Sequence, residues 1–409
     1  MPAADRLGVW LNDLPIAEIE RRGPFDLRLR YTAEALERWP ANSPVVSCAL
    51  PLGRRPHPAR AFCAGLLPEG RARPELAHRA GVATNDTFGL LERYGRDVAG
   101  ALIIGREEPA SQRHGIAAYD AQSLADAIDA LDEHPLGVYD DSELSLAGLQ
   151  DKLLLVRSAD GQWGRPLHGR PSTHILKRDD ARFPGLVAAE GACLRLARAL
   201  SLTTVDADLE QIGDHWCLIV SRFDRTGAGN DVTRIHQEDL CQALGVDPAG
   251  ARGRIKYQDA GGPSLRDLAG LLDRYARDGA AELDTLVRAV TFTVLIGNAD
   301  AHGKNIAVLH DTPETVTLAP LYDTVPTVLW PKLRTRAAMT VGGRAQLADV
   351  TIEDIVAEAA SWPHPQARAR EVALDLARHA ATAVANGVLD DLPALAEHVD
   401  GRARALLAG

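Results

Sequence analysis

An acid, an imidazole, an amine and two amides fall within one stretch of this chain, Gly297–Asn305, which reads G-N-A-D-A-H-G-K-N directly after an apolar run of helical period. Asp300 and Asn305 stand five positions apart, and Asp323 follows eighteen residues beyond Asn305, in L-Y-D. In phosphoryl transfer, the spacing D-x-x-x-x-N lets an Asp take the proton of the attacking hydroxyl while an Asn holds a metal ion. On that chemistry Asp300 is the expected base. Asn305 and Asp323 are the expected Mg²⁺ ligands, and Lys304 is the amine that neutralises the transferred phosphoryl group. His302 is expected to orient the loop rather than react. Each residue alone reads as part of a polar turn; their density after a buried helix favours chemistry.

Phosphoryl transfer also needs an amine on the nucleotide phosphates and a carboxylate to orient it. Lys177 ends the alternating run T-H-I-L-K, so Thr173, Ile175 and Lys177 share one strand face. Glu190 lies thirteen residues on, in the apolar stripe of a helix expected over Leu186–Leu200. A carboxylate there wants a cation, and Lys177 is the expected one. Ser145–Lys152 (S-L-A-G-L-Q-D-K) is the candidate phosphate cradle, with Ala147, Gly148, Gln150 and Lys152 as nucleotide-binding positions. As a Gly-rich loop it is weak, with one glycine rather than three and no Walker pattern, though backbone N–H groups can still bind phosphate.

The elements that must position these residues follow in chain order. Residues 1–110 read as an α+β unit. A hairpin is expected from Leu7–Leu11 and Pro15–Ile19 around Asn12-Asp13, then a strand at Phe25–Tyr31, a helix at Thr87–Tyr94 and a strand at Ala99–Ile104. The helix is expected to end in a Gly95-Arg96-Asp97 turn, and most of the charges in this unit are expected on a solvated surface. A boundary is placed near 110, followed by a helix at Ala121–Leu131 and a flexible polar loop around 139–150. Lys152–Val156, Thr173–Lys177, the helix Leu186–Leu200, Leu209–Ile212 and Trp216–Val220 have the element order of a kinase small lobe, residues 111–225. Residues 226–409 read as a mostly helical lobe. It has a short helix at Gln237–Leu244, longer ones at Leu265–Asp278 and Leu283–Ile296, a hairpin around Asp311–Glu314, and helices from Ile352 to the end.

Composition narrows the class. The chain has 409 residues, 46% of them hydrophobic, and a net charge of −11. So acidic a chain is not expected to bind nucleic acid over its whole surface. Its five cysteines are scattered and form no C-x-x-C pair, which fits a reducing compartment. Neither a signal-peptide core nor a membrane-length apolar run is visible, so a cytoplasmic protein without membrane contact is expected.

Together the motifs resemble the HipA family, serine/threonine-protein kinase toxins of bacterial type II toxin–antitoxin modules. The resemblance rests on S-L-A-G-L-Q-D-K (145–152), T-H-I-L-K (173–177), the helix bearing Glu190, S-R-F-D-R (221–225), H-Q-E-D-L-C-Q-A-L-G (236–245), L-I-G-N-A-D-A-H-G-K-N (295–305) and L-A-P-L-Y-D (318–323). In the first residues, L-P-E-G (67–70) and F-G-L-L-E-R-Y-G-R-D-V-A-G-A-L (88–102) are similar to the family's N-terminal part. It implies an α+β, two-lobed protein-kinase-like fold with an extra N-terminal subdomain. It implies ATP and Mg²⁺ as cofactors, Lys177 on the ATP phosphates, Val220, Ser221 and Phe223 at the interlobe hinge that meets adenine, and Asp300, Asn305 and Asp323 in the roles given above. Where some members carry an acidic hinge residue this chain has Ser221. Ser145 matches the serine on which such kinases phosphorylate themselves, with Ser142 as the alternative. The implied partner is a helix-turn-helix antitoxin of the HipB type, through which operator DNA is reached. The implied substrate is a translation component such as an aminoacyl-tRNA synthetase. Two other readings remain: a catalytically weak kinase-fold co-repressor acting with the antitoxin, and a small-molecule kinase on the same fold.

Overall fold

The computed structural model describes residues 5–109, 115–139, 141–147, 151–227, 229, 231–248 and 253–409. They fall into two compact units. The first comprises Met1–Arg178, Glu210–Ile255 and Leu309–Thr315; the second comprises Asp179–Leu209, Lys256–Val308 and Val316–Gly409.

The first unit is built on two sheets. Strands β1 (Arg6–Leu11), β2 (Leu14–Arg21), β3 (Leu27–Tyr31), β4 (His57–Pro58) and β5 (Leu102–Gly105) run in the order β4-β3-β2-β1-β5. The β1–β2 hairpin is as expected, with Asn12 at φ +53° in its turn, a conformation that Asn tolerates. Leu27, Leu29 and Tyr31 alternate into a core shared with Phe62, Leu66, Phe88, Leu91 and Tyr94. The helix Thr87–Tyr94 has its expected bounds, and the Asp86 carboxylate caps it by accepting from the Gly89 N–H.

The second sheet holds β6 (Gly115–Ala118), β7 (Lys152–Arg157), β8 (Trp163–Leu167), β9 (His174–Arg178), β10 (Ala207–Ile212) and β11 (His215–Ser221), in the order β10-β11-β9-β7-β8-β6. β6 and β8 are additions to the sequence reading. W-G-R-P-L carries a glycine and a proline, both strand-weakening, and G-I-A-A is too short to show a period. β7 is apolar along its length because both faces are covered. Leu153 and Leu155 join Leu124 and Ile128 of the helix Ala121–Asp129 and Leu131 of the turn after it, whereas Leu154 belongs to the core of the first sheet. Successive strand residues face opposite ways, so one strand serves two cores.

Two expectations are corrected in this unit. Gln237–Leu244 is not helical throughout: Gln237–Asp239 is a strand and only Leu240–Ala243 is helix. Asp239 accepts from the Gln242 N–H while the Gln242 side chain accepts from the Asp239 N–H, a capping box that fixes the helix start. The polar segment after Tyr139 is packed where it is described, with Ser142, Leu144 and Ser145 all buried.

Asp97, in a unit most of whose charges are expected in solvent, is 1% exposed. Its Oδ2 accepts from the Ser172 N–H at 2.9 Å and the Ser172 hydroxyl at 2.6 Å, and its Oδ1 from Arg225 at 2.9 Å. Asp224 accepts from Arg222 at 2.9 and 2.7 Å and from the Gly100 N–H at 2.7 Å. Arg222 also donates to the Ser172 hydroxyl at 2.8 Å, and Arg234 lies 3.7 Å from Asp97. Burial alone would raise both carboxyls. The guanidiniums of Arg225, Arg222 and Arg234 around Asp97, and of Arg222 and Arg225 around Asp224, outweigh it and hold both well below the usual carboxylate range.

The second unit is mainly helical. Gly279–Ile296 packs against Leu265–Tyr275, Gln366–Ala385 and Pro393–Ala408, and Ile352–Ala359 packs against Gln366–Ala385. Gly279–Ile296 starts earlier than its apolar stripe because Asp278 caps it, accepting from the Ala281 N–H at 3.1 Å. The hairpin expected around Asp311–Glu314 forms from Ala307–Thr312 and Thr315–Leu318, with Leu309–Thr315 counted in the first unit. No helix among the described residues is long and apolar enough to cross a membrane.

Asp224→Ala leaves the Arg222 and Arg225 guanidiniums buried beside a vacant anion position, and should cost about 3–5 kcal/mol in a urea titration. The sign of the pH dependence follows from the depressed pKa values. The stabilisation from Asp97 and Asp224 is complete above the ordinary carboxylate range near pH 4 and declines as pH falls below it. As pH falls below about 4, Asp224→Ala should therefore lose less stability than the wild-type chain.

Candidate active site

In the second unit, the helix Gly279–Ile296 ends at Gly297, whose φ of +68° makes a left-handed cap. A Cβ there would meet Val328 Cγ1 at 2.2 Å, so this turn requires glycine. The Thr327 hydroxyl accepts from the Ala299 N–H at 2.8 Å and donates to the Gly297 carbonyl at 3.2 Å. Asn298 Oδ1 accepts from the Asp300 N–H at 3.0 Å. The Asn305 amide donates to the Asp300 carbonyl at 3.0 Å, and the Asn305 N–H donates to the His302 carbonyl at 2.8 Å. The loop thus ties Asp300 and Asn305 together. With its Nδ2 committed to Asp300, the Asn305 amide has Oδ1 left as its acceptor atom.

Asp300 is half-buried, and Tyr257 donates its hydroxyl to Oδ1 at 2.8 Å. Burial pushes this carboxyl up, and the nearby charge of Asp323 pushes the same way. The Tyr257 hydrogen bond and the charges of Lys256 and Arg334 pull it down, and the net result lies above the usual value. A carboxylate raised in this way is a better proton acceptor than an ordinary surface Asp.

Asp323 is held by its neighbours. The Leu321 N–H donates to the Leu202 carbonyl at 3.0 Å, Thr203 donates to the Leu321 carbonyl at 2.8 Å, and Tyr322 donates its hydroxyl to the Lys304 carbonyl at 2.9 Å. Asp323 itself has φ +52°. That strain, about 1–3 kcal/mol, persists only where surroundings over-determine the backbone, as at functional sites. An amide oxygen and a carboxylate are hard donors of the kind Mg²⁺ accepts, with phosphate oxygens and water completing its sphere. The residues present fit that ion.

His302 is buried. Desolvation, then the charge of Lys256, push its pKa down to about 3, so the imidazole is neutral. Its Nδ1 accepts from the Lys304 N–H at 3.3 Å, and its ring meets Tyr257 edge-on at 5.1 Å between centroids. It shapes the loop and carries no charge. Lys304 is buried in the same loop. Glu190, also in this unit, is 2% exposed within the helix Leu186–Ala199.

In the first unit, Lys177 of β9 lies directly opposite Lys152 of β7. Directly opposed residues share a sheet face, with Cβ atoms about 4.5–5.5 Å apart. Both lysines are buried, and Lys152 Nζ donates to the Ala147 carbonyl at 3.3 Å. Like charges opposite one another are costly, and an anion beside them offsets that cost. Ser145 is fully buried; its hydroxyl donates to the Leu66 carbonyl at 3.2 Å and its N–H to the Asp97 carbonyl at 2.9 Å. Ser142 is also buried, and its hydroxyl accepts from the Tyr139 N–H at 2.9 Å. Val220 and Ser221 pair with Ile175 and His174 across β11 and β9, and Phe223 follows, half-buried. Gly148 and Gln150 lie outside the described residues.

The structure thus gathers Asp300, His302, Lys304, Asn305 and Asp323 in one unit with Glu190, and Ala147, Lys152, Lys177, Val220, Ser221 and Phe223 in the other. Sequence reading missed Tyr257, which reaches Asp300 across 43 residues, a separation that leaves no local spacing signal. It also assigned no role to Ser172, Arg222, Asp224 and Arg225. The run R-F-D-R, alternating charges just after an apolar strand, is the signal that was there to use.

Comparison with known proteins agrees along the chain. Residues 7–105 match the HipA N-terminal domain and residues 144–385 the HipA-like C-terminal domain. A putative kinase of Sinorhizobium fredii, Y4mE, is 36% identical over 355 residues, covering 84% of this chain and 82% of that protein. The serine/threonine-protein kinase toxin HipA of Shewanella oneidensis is 30% identical over 350 residues, covering 82% and 78%. The solved complex of Shewanella oneidensis HipA, HipB and operator DNA contains a chain that superposes with a TM-score of 0.78 at 26% identity, covering 98% of this chain and 96% of that one.

Replacing Tyr257 by Phe removes a hydrogen bond that favours the ionised carboxylate. The Asp300 carboxyl should then titrate at a higher pH than in the wild-type chain, read from its ¹³C resonance; an unchanged midpoint would contradict the geometry.

Proposed function

The chain belongs to the HipA family of serine/threonine-protein kinase toxins, and from that membership we propose an ATP- and Mg²⁺-dependent protein kinase whose base is Asp300. The single observation that carries this reading is the Asp300 carboxylate. It is raised in pKa, oriented by Tyr257, and tied through its own carbonyl to the expected metal ligand Asn305.

In this reading a serine or threonine hydroxyl of the substrate gives its proton to Asp300 as its oxygen attacks the terminal phosphorus of ATP. The bond from that phosphorus to the bridging oxygen breaks, and ADP leaves. Asn305 and Asp323 would hold Mg²⁺, which when bound neutralises charge on the phosphate oxygens. Lys304 offsets charge on the transferred group, and neutral His302 keeps Lys304 in place through its main chain. Lys177 and Lys152 attract the nucleotide phosphates, Glu190 orients Lys177, and the backbone of Val220–Phe223 receives adenine. The division near residues 110 and 225 is retained as part of the same reading.

Ser145 is proposed as the site of autophosphorylation. It is fully buried, so modification requires its segment to leave the Leu66 and Asp97 carbonyls. A phosphate adds roughly −1.5 to −2 charge, which could not return to that apolar site and would leave the kinase off. The proposed partner is a HipB-type helix-turn-helix antitoxin that links the chain to operator DNA, as the Shewanella oneidensis assembly pairs HipA with HipB and DNA. The proposed substrate is a translation component, and the proposed compartment is the cytoplasm.

Incubation with labelled ATP and cell lysate tests the reading. Asp300→Ala and Asp323→Ala should each lower transfer by at least about 10²-fold. Neither should unfold the chain, because both residues are half-buried and repel one another. Label appearing in proteins irrespective of Asp300, or only in small metabolites, would sink the proposal. Ser145→Ala should remove most of the phosphate that the protein adds to itself; mapping of that phosphate to Ser142 would move the site.

A further inference from the structure

One buried group touches both main-chain segments on which the nucleotide reading depends, and has no role in it so far. The Asp97 side chain holds the residues at and after the hinge. Its carboxylate accepts from Arg225 at 2.9 Å and from the Ser172 hydroxyl at 2.6 Å; that hydroxyl accepts from Arg222 at 2.8 Å. Arg222 also donates its backbone N–H to the Thr173 carbonyl at 2.9 Å, just before β9, the strand that bears Lys177. The Asp97 main chain holds the serine-bearing segment. Its carbonyl accepts from the Ser145 N–H at 2.9 Å, its N–H donates to the Glu143 carbonyl at 3.4 Å, and it forms a parallel bridge with Leu144.

We propose that Asp97 is a positioning residue for the nucleotide: its side chain fixes the hinge backbone through Ser172, Arg222 and Arg225, and its main chain holds the Ser145 segment in its buried place. The inference rests on the kinase reading above and adds to it a residue from outside the catalytic loop.

The physical case is one of charge and exclusion. Three guanidiniums share two carboxylates in a space closed to water. With the Asp97 charge removed, Arg222, Arg225 and Arg234 have only Asp224, and mutual repulsion drives the run Arg222–Arg225 toward solvent. The proposed hinge, Val220–Phe223, overlaps that run. Because the side-chain anchors of Asp97 also pin its own peptide groups, the Ser145 segment loosens with them. A structural role alone would weaken the unit evenly; a positioning role loosens two named segments and shows in ATP affinity.

The test uses the full-length protein and two variants. Asp97→Asn keeps shape and an acceptor but removes the charge; Ser172→Ala keeps the charge but breaks the link to Arg222. Steady-state kinetics, titration with a fluorescent ATP analogue and amide hydrogen exchange are read together. Asp97→Asn should raise KM for ATP about tenfold with kcat changed by less than about threefold, the loss of one charged hydrogen bond at the hinge. Ser172→Ala should move KM the same way by a smaller factor. Exchange should speed at 143–147 and 220–225, with Gln366–Ala385 and Pro393–Ala408 unchanged, and Asp97→Asn should take up phosphate on Ser145 faster. An unchanged KM, or exchange that speeds evenly throughout the first unit, overturns the proposal. If the wild-type protein neither binds nucleotide nor transfers phosphate, the kinase reading has failed. The exchange pattern then decides the claim about Asp97 on its own.

Discussion

Two carboxylates and three guanidiniums packed where water cannot reach are the constraint around which the first unit is arranged. Asp97 and Asp224 remain ionised there because the arginines stand within hydrogen-bonding range, and the arginines remain buried because the carboxylates do. Neither set is tolerable alone. The match is incomplete: the Nε atoms of Arg225 and Arg234 have no acceptor, so the cluster holds a particular arrangement rather than the lowest attainable energy. Asp97 comes from the segment that matches the HipA N-terminal domain, and the arginines come from the segment that matches the C-terminal one. The cluster is where those two stretches of sequence become one folded body.

Each unit also carries a like-charge pair. In the second, Asp323 stands close enough to Asp300 to raise its pKa. In the first, Lys152 and Lys177 face each other across a strand pair. Like charges held close together are costly unless opposite charge stands beside them.

What could be read from the sequence was what is local. Asp300, His302, Lys304 and Asn305 share one loop, and their spacing points to phosphoryl transfer without knowledge of the fold. The β1–β2 hairpin, the helix Thr87–Tyr94 and the lysine strand followed from turn residues and period. Long-range partners were not legible, because a buried Asp and a surface Asp are the same letter. Asp97 read as a turn charge until Arg225 was found beside it. Tyr257 read as nothing in particular until its hydroxyl met Asp300. β8 was hidden by its own glycine and proline, and the segment around Ser145 looked exposed because its polar letters conceal how Leu144 anchors it in the core.

The separation of Asp97 from its partners bears on how the chain is made. Asp97 and Arg225 are 128 residues apart, and synthesis proceeds at about 5–20 residues per second. For roughly 6–26 s after Asp97 is made, its arginines do not yet exist. The first sheet can form in that interval, but its carboxylate must stay in water. Asp97 and Ser172 can therefore be tied to Arg222 and Arg225 only once those arginines have emerged. The first sheet is assembled as a scaffold, and the buried charge cluster closes on it in a late step.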